Sequence, residues 1–227
     1  MLWIWICLAF LIIAPAFCAV KLGGRWRWMF LGIGSWMLGL MAKNALFYLL
    51  DWSGDAYWPH VARAVVVGTL SASCELGAAA VFLRRPVITL IDAVGFGAAI
   101  GSFEVIFTLS LGLLEGLGEN LQWVAPPLGF VNGTFLFERI LALAGHTASR
   151  VLVFIALQRK QWLPGAIALL TFSSIDGLAA YGVAAEWNWE DAAISFRFQI
   201  TEAAIALLEA AAAVWFVRRH FSLVQSI

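Results

Sequence analysis

Ionisable side chains set inside apolar runs are the residues of this chain that could do chemistry. Glu75, Glu104 and Asp176 are carboxylic acids embedded among Ala, Val, Leu, Ile and Phe, and Arg139, His146 and Arg150 stand in a similar run. Carboxylates in such places can act as general bases or hold a metal ion, and imidazole can ligate metal or move protons. Arg139 and His146 are seven positions apart and Arg150 lies four beyond His146, so on a helix all three share one face. Lys43, Asp92, Glu138, Glu202 and Glu209 are further ionisable groups in apolar surroundings, beside the polar Asn44, Ser173 and Ser174. At the centre of a bilayer each such group costs at least about 2.5–3.5 kcal/mol, so by default they face one another and mark a functional site.

Composition shows that lipid is the medium these groups must avoid. The chain has 227 residues, of which 63% are hydrophobic and 12% charged. Its mean hydropathy is +0.89. A soluble domain carries about a quarter charged residues, so this chain has too few to cover a water-facing surface. Its 14 basic and 14 acidic residues balance, which gives no reason to expect nucleic acid as a partner. Cys7, Cys18 and Cys74 form no Cys-x-x-Cys pair, so neither a disulfide framework nor a zinc knuckle is implied.

A membrane-spanning helix needs about 20 mostly apolar residues. Seven segments meet that length, at 2–20, 28–50, 61–83, 87–113, 135–157, 163–184 and 197–217. The predicted fold is therefore all-α, a single polytopic membrane domain over 1–227 with seven transmembrane helices. The gaps alternate in charge. Lys21, Arg25 and Arg27 follow the first span, Arg84 and Arg85 the third, Arg159 and Lys160 the fifth, and Arg218 and Arg219 the seventh. The other gaps hold Asp51 and Asp55, then Glu115 and Glu119, then Glu186, Glu190 and Asp191. Basic residues are retained in the cytoplasm, which predicts an external N-terminus, a cytoplasmic C-terminus and a multi-pass plasma-membrane location. Trp26, Trp28, Trp52, Trp58, Trp162, Trp187 and Trp189 sit at the proposed span ends, where the amphipathic indole belongs. The first span has no basic residues before it and a poor cleavage site, so it is expected to be a retained helix.

Depth follows from a rise of about 1.5 Å per residue. Glu104 falls level with Arg139 in the outer third, while Glu75, His146, Asp176 and Glu209 reach mid-depth. Glu75, Glu104 and Asp176 would then neutralise the arginine–histidine–arginine stripe. Gly97 and Gly101 form a small-xxx-small pair that lets a neighbouring backbone approach Glu104. Plainer roles exist for each residue. Glu104 with Arg139 could be a structural clamp, His146 a hydrogen-bonded interior histidine, Lys43 a partner of Glu202 or another acid, and Glu209 an oligomer contact.

Two segments resemble the YhfC family of predicted intramembrane metalloproteases, itself similar in arrangement to the PrsW and CAAX-protease groups. One runs from Asp92 through Gly95, Gly97 and Gly101 to Glu104. The other runs from Phe137-Glu138-Arg139 through Gly145-His146 to Arg159-Lys160, and Ser173-Ser174-Ile175-Asp176-Gly177 extends the likeness. Together they cover roughly 75–180. The resemblance implies catalysis by Glu75, Glu104, Glu138 and Arg139, with His146, Glu104 and Asp176 holding zinc or another divalent metal. It also has gaps. Cys74 replaces the second acid of the expected pair, Ala78 the expected basic residue, and Ile100 and Ser173 the expected histidines. Catalytic zinc needs about three protein ligands, and one imidazole with carboxylates is a weak set.

Three functions remain in view. The first is a degenerate relative without bound metal, acting in the bilayer as a scaffold or assembly partner of another membrane protein. The second is a metal-dependent peptidase that cuts a membrane-embedded substrate with Glu75 as general base. The third is a transporter or channel, which the lack of an evident repeat or mid-span proline disfavours.

Overall fold

The computed structural model describes residues 17, 20, 21, 23–50, 57–116, 133–185 and 192–221. Six α-helices make up almost all of this, and no strand occurs among the described residues. They are α1 (Trp26–Leu49), α2 (Tyr57–Leu83), α3 (Leu90–Gly116), α4 (Gly133–Arg159), α5 (Trp162–Ala184) and α6 (Ala192–Phe221). In an apolar medium a helix satisfies its own backbone groups, and these stretches place no proline in a helix interior. Pro59 and Pro164 stand in the first turns of α2 and α5, where the missing N–H costs nothing, and Pro86 lies in the turn before α3. At the end of α4, Lys160 adopts φ 52° and lets Gln161 N–H bond back to Ala156 O at 2.9 Å.

The second to seventh expected spans return as α1 to α6. The first, 2–20, lies outside the described residues apart from Phe17 and Val20, as do the acidic gaps at 51–56, 117–132 and 186–191. Five helices are long and apolar enough to cross a membrane, over Pro59–Leu83, Leu90–Phe107, Arg139–Arg159, Trp162–Gly182 and Phe196–Phe221. Thus five described helices, not seven, meet that standard. The helices also run past several expected limits. α6 begins at Ala192 and continues to Phe221, because the long stems of Arg197, Arg218 and Arg219 tolerate an apolar border while their heads reach out.

Helix α4 is central and packs against α2, α3, α5 and α6. Its C-terminal half supplies Leu152, Phe154 and Ile155 to a core shared with Leu83, Phe96 and Ile100. The outer surface is also apolar, with Phe30, Leu49, Leu170, Leu207 and Trp215 exposed. A surface of that kind fits lipid.

The basic segments gather at one end of the bundle. Arg25, just before α1, pairs with Asp92 at the start of α3. Gln158 near the end of α4 donates to Leu83 O and Arg85 O at the end of α2. Arg159 donates to His220 O at the end of α6 (2.8 Å). Successive helices therefore run in alternating directions, as the charge pattern of the gaps requires. Trp26 and Trp162 are exposed at this end, whereas Trp28 is turned into the bundle.

Candidate functional site

A run of opposite charges crosses the interior along the α4 face. Arg139 Nη1 lies 3.2 Å from Glu104 Oε1, and His146 Nε2 lies 2.6 Å from Glu104 Oε2. The other ring nitrogen, His146 Nδ1, faces Glu75 Oε1 at 3.5 Å without a hydrogen bond. Arg150 Nη2 donates to the same Glu75 oxygen. The order along α4 is Arg139, His146, Arg150, and along it run Glu104 from α3 and Glu75 from α2. Helical spacing explains the stripe, since positions seven and eleven apart return to one face.

Glycines set the separation of the helices. A Cβ at Gly97 would meet His146 O at 2.5 Å, and one at Gly101 would meet Leu143 Cα at 2.6 Å. The expected small-xxx-small pair thus lays α3 directly on α4 and brings Glu104 to His146. Gly39 does the same for α1 at Glu75, where an added Cβ would come 2.7 Å from Glu75 Cβ.

Arg150 is fully buried, donates to Ser149 Oγ at 2.6 Å, and holds its guanidinium carbon 4.9 Å from the Phe172 ring centroid. The ring of His146 packs edge-on against the same phenylalanine, 5.1 Å between centroids. Phe172 is a site residue that sequence reading missed, because one phenylalanine among seventeen carries no distinguishing signal.

Several expected partners are rearranged. Asp176 does not join the arginine stripe directly. It accepts from Lys43 Nζ at 3.0 Å and from Ser71 Oγ at 2.7 Å, tying α5 to α1 and α2. Lys43 therefore pairs with another acid than Glu202, namely Asp176, on a helix that the Gly68–Gly177 contact holds against α2. Glu209, expected among the interior polar groups with an oligomer contact as the plainer alternative, is fully buried and accepts from Thr171 Oγ1 at 2.7 Å. Glu202 is buried seven residues earlier on the same face of α6. Asp92 lies outside the central group. It pairs with Arg25 at 2.6 Å and accepts from Thr89 N–H and Oγ1, closing the first turn of α3. Glu138 stands on α4, with its side chain outside the described residues. Cys74, beside Glu75, is exposed on the bundle surface.

The donor set does not fit a divalent metal. The three acids expected as base or ligands are each engaged by a cation: Glu75 by Arg150, Glu104 by Arg139, Asp176 by Lys43. A dication entering there would sit beside three fixed positive charges in a low-dielectric interior. Among the described residues no three His, Cys, Asp or Glu side chains converge as a ligand group.

The fold and site define a class, an all-helical integral membrane protein with a buried polar network. No family model, no curated protein and no solved structure matches the chain.

Proposed function

We propose that this protein is a non-catalytic relative of the YhfC-type intramembrane metalloproteases, serving in the bilayer as a scaffold or assembly partner for another membrane protein. One observation carries the reading. The two acids that a peptidase would need, Glu75 and Glu104, are held by Arg150 and Arg139. A general base must be free to take a proton from water, and a metal ligand must face its ion; a carboxylate clasped by guanidinium does neither well. The substitutions at Ile100 and Ser173 agree, since both replace expected histidines. We further read segment 2–20 as a seventh crossing and the basic end as cytoplasmic, with the N-terminus outside, in the plasma membrane.

A peptidase reading keeps one support. The Glu104, Asp176 and Lys43 side chains are 22%, 20% and 28% exposed, so one flank of the network is open to an approaching chain. Metal analysis separates the two. Protein purified in mild detergent without chelators, then equilibrated with zinc and desalted, should carry well under one metal per chain, and His146→Ala should leave that value unchanged. Stoichiometric zinc that disappears in His146→Ala would establish the peptidase reading instead. The scaffold role further predicts a second membrane protein recovered in fixed ratio with the chain. A lone monomer from native membranes would remove it.

A further inference from the structure

We propose that Arg27, Arg85 and Trp28 form a binding site for the phosphate group of an anionic phospholipid, at the end of the bundle where α1 begins and the α2–α3 turn passes. Three guanidinium groups surround one indole. The Cζ atoms of Arg25, Arg27 and Arg85 lie 5.4, 4.8 and 5.9 Å from the Trp28 ring centroid. Like charges gathered on a single ring repel one another, and an aromatic face offsets that only in part. Asp92 neutralises Arg25 alone, through Nη2 at 2.6 Å and Nε at 3.1 Å, and its oxygens are shared further with Thr89. Among the described residues neither Arg27 nor Arg85 has an acidic partner, and both are exposed. Two cations without an acidic partner thus lie against the same indole, beside a neutralised third.

Trp28 adds a second, independent observation. Its side chain is buried at 3% exposure, yet Nε1 makes no hydrogen bond. A buried donor left without an acceptor is costly, and an anion's oxygen is an acceptor of the right kind. A phosphate would accept from the two guanidinium forks, and from the indole once the side chains that cover its N–H part.

Position selects a lipid over a soluble anion. The site lies between Leu83 and Leu90, where the membrane-crossing parts of α2 and α3 end and begin. Trp26, Phe30 and Val87 are exposed beside it at 58%, 70% and 55%. Free phosphate would leave that apolar surface uncovered, whereas glycerol and acyl groups would lie along it.

The test is native mass spectrometry of the full chain in mild detergent, titrated with phosphatidylglycerol or phosphatidylcholine. One phosphatidylglycerol per chain should be retained in preference to phosphatidylcholine. Arg27→Gln with Arg85→Gln should weaken that binding roughly thirtyfold, at about fivefold per charge removed. Arg218→Gln with Arg219→Gln, at the end of α6, should leave it within about twofold. Unchanged retention in the Arg27/Arg85 variant, or equal retention of the two lipids, overturns the site. Millimolar inorganic phosphate that displaces the lipid transfers the site to a soluble anion and overturns the lipid assignment. Should the double variant fail to fold, Trp28→Phe keeps the ring and removes only the N–H. Severalfold weaker phosphatidylglycerol binding then supports the site, and undiminished binding overturns it.

Discussion

Arg150 carries a large energetic stake for a single residue. It is fully buried, and Glu75 is the acid it contacts. Removing one member of a buried ion pair leaves the other charge stranded, at a cost of about 3–5 kcal/mol. Glu75→Gln should therefore lower the thermal midpoint sharply, and Arg150→Met in the same chain should restore a large share of the loss. If the two substitutions are additive instead, the pair contributes nothing as a pair. Thr171→Val makes a gentler test, because it strips the Glu209 carboxylate of its hydroxyl donor. We expect a loss of about 1–3 kcal/mol by denaturant titration, with no change in helix content. At the N-terminal edge of α1, the hydrogen bond and charge of Asp92 raise the pKa of Arg25, which keeps its guanidinium charged.

Helix pairs decide whether those residues meet. The α3–α4 contact rests on Gly97 and Gly101, and the α2–α5 contact on Gly68 against Gly177. Gly97→Leu should separate α3 from α4, break the 2.6 Å contact of His146 with Glu104, and destabilise the bundle by about 1–3 kcal/mol or more. Gly34 is the control. A Cβ there would touch nothing within 4 Å, so Gly34→Ala should leave the thermal midpoint unchanged or raise it slightly. Equal damage from both substitutions would show that close approach is not what Gly97 provides. The Gly97 and Gly101 spacing was visible in the sequence, and so was the Arg139–Glu104 pairing, since rise per residue places both at one depth. The Lys43–Asp176–Ser71 link was not. It depends on which helices become neighbours, and α5 lies far along the chain from both α1 and α2.

For the whole molecule, the proposed orientation puts the basic end of the bundle in the cytoplasm. The basic ends of α2, α4 and α6 lie together with the start of α1, so a single thiol at Arg84 or Lys160 should report the same side. In a chain whose native cysteines are replaced, Arg84→Cys and Lys160→Cys should both resist an impermeant maleimide in intact cells and react after permeabilisation. Reaction in intact cells would invert the proposed orientation. Lipid as solvent, the helical class, the positions of five crossings and the stripe on α4 were determined by the sequence alone. Each follows from local quantities: apolar length, helical period, and the expense of a charge in hydrocarbon. The tertiary structure alone decided the partners. Glu209 and Thr171, Asp92 and Arg25, and the grip of two arginines on the two acids depend on distances between helices. No one-dimensional pattern contains those distances, because they arise only when glycine contacts and side-chain volumes settle how far apart the helices pack.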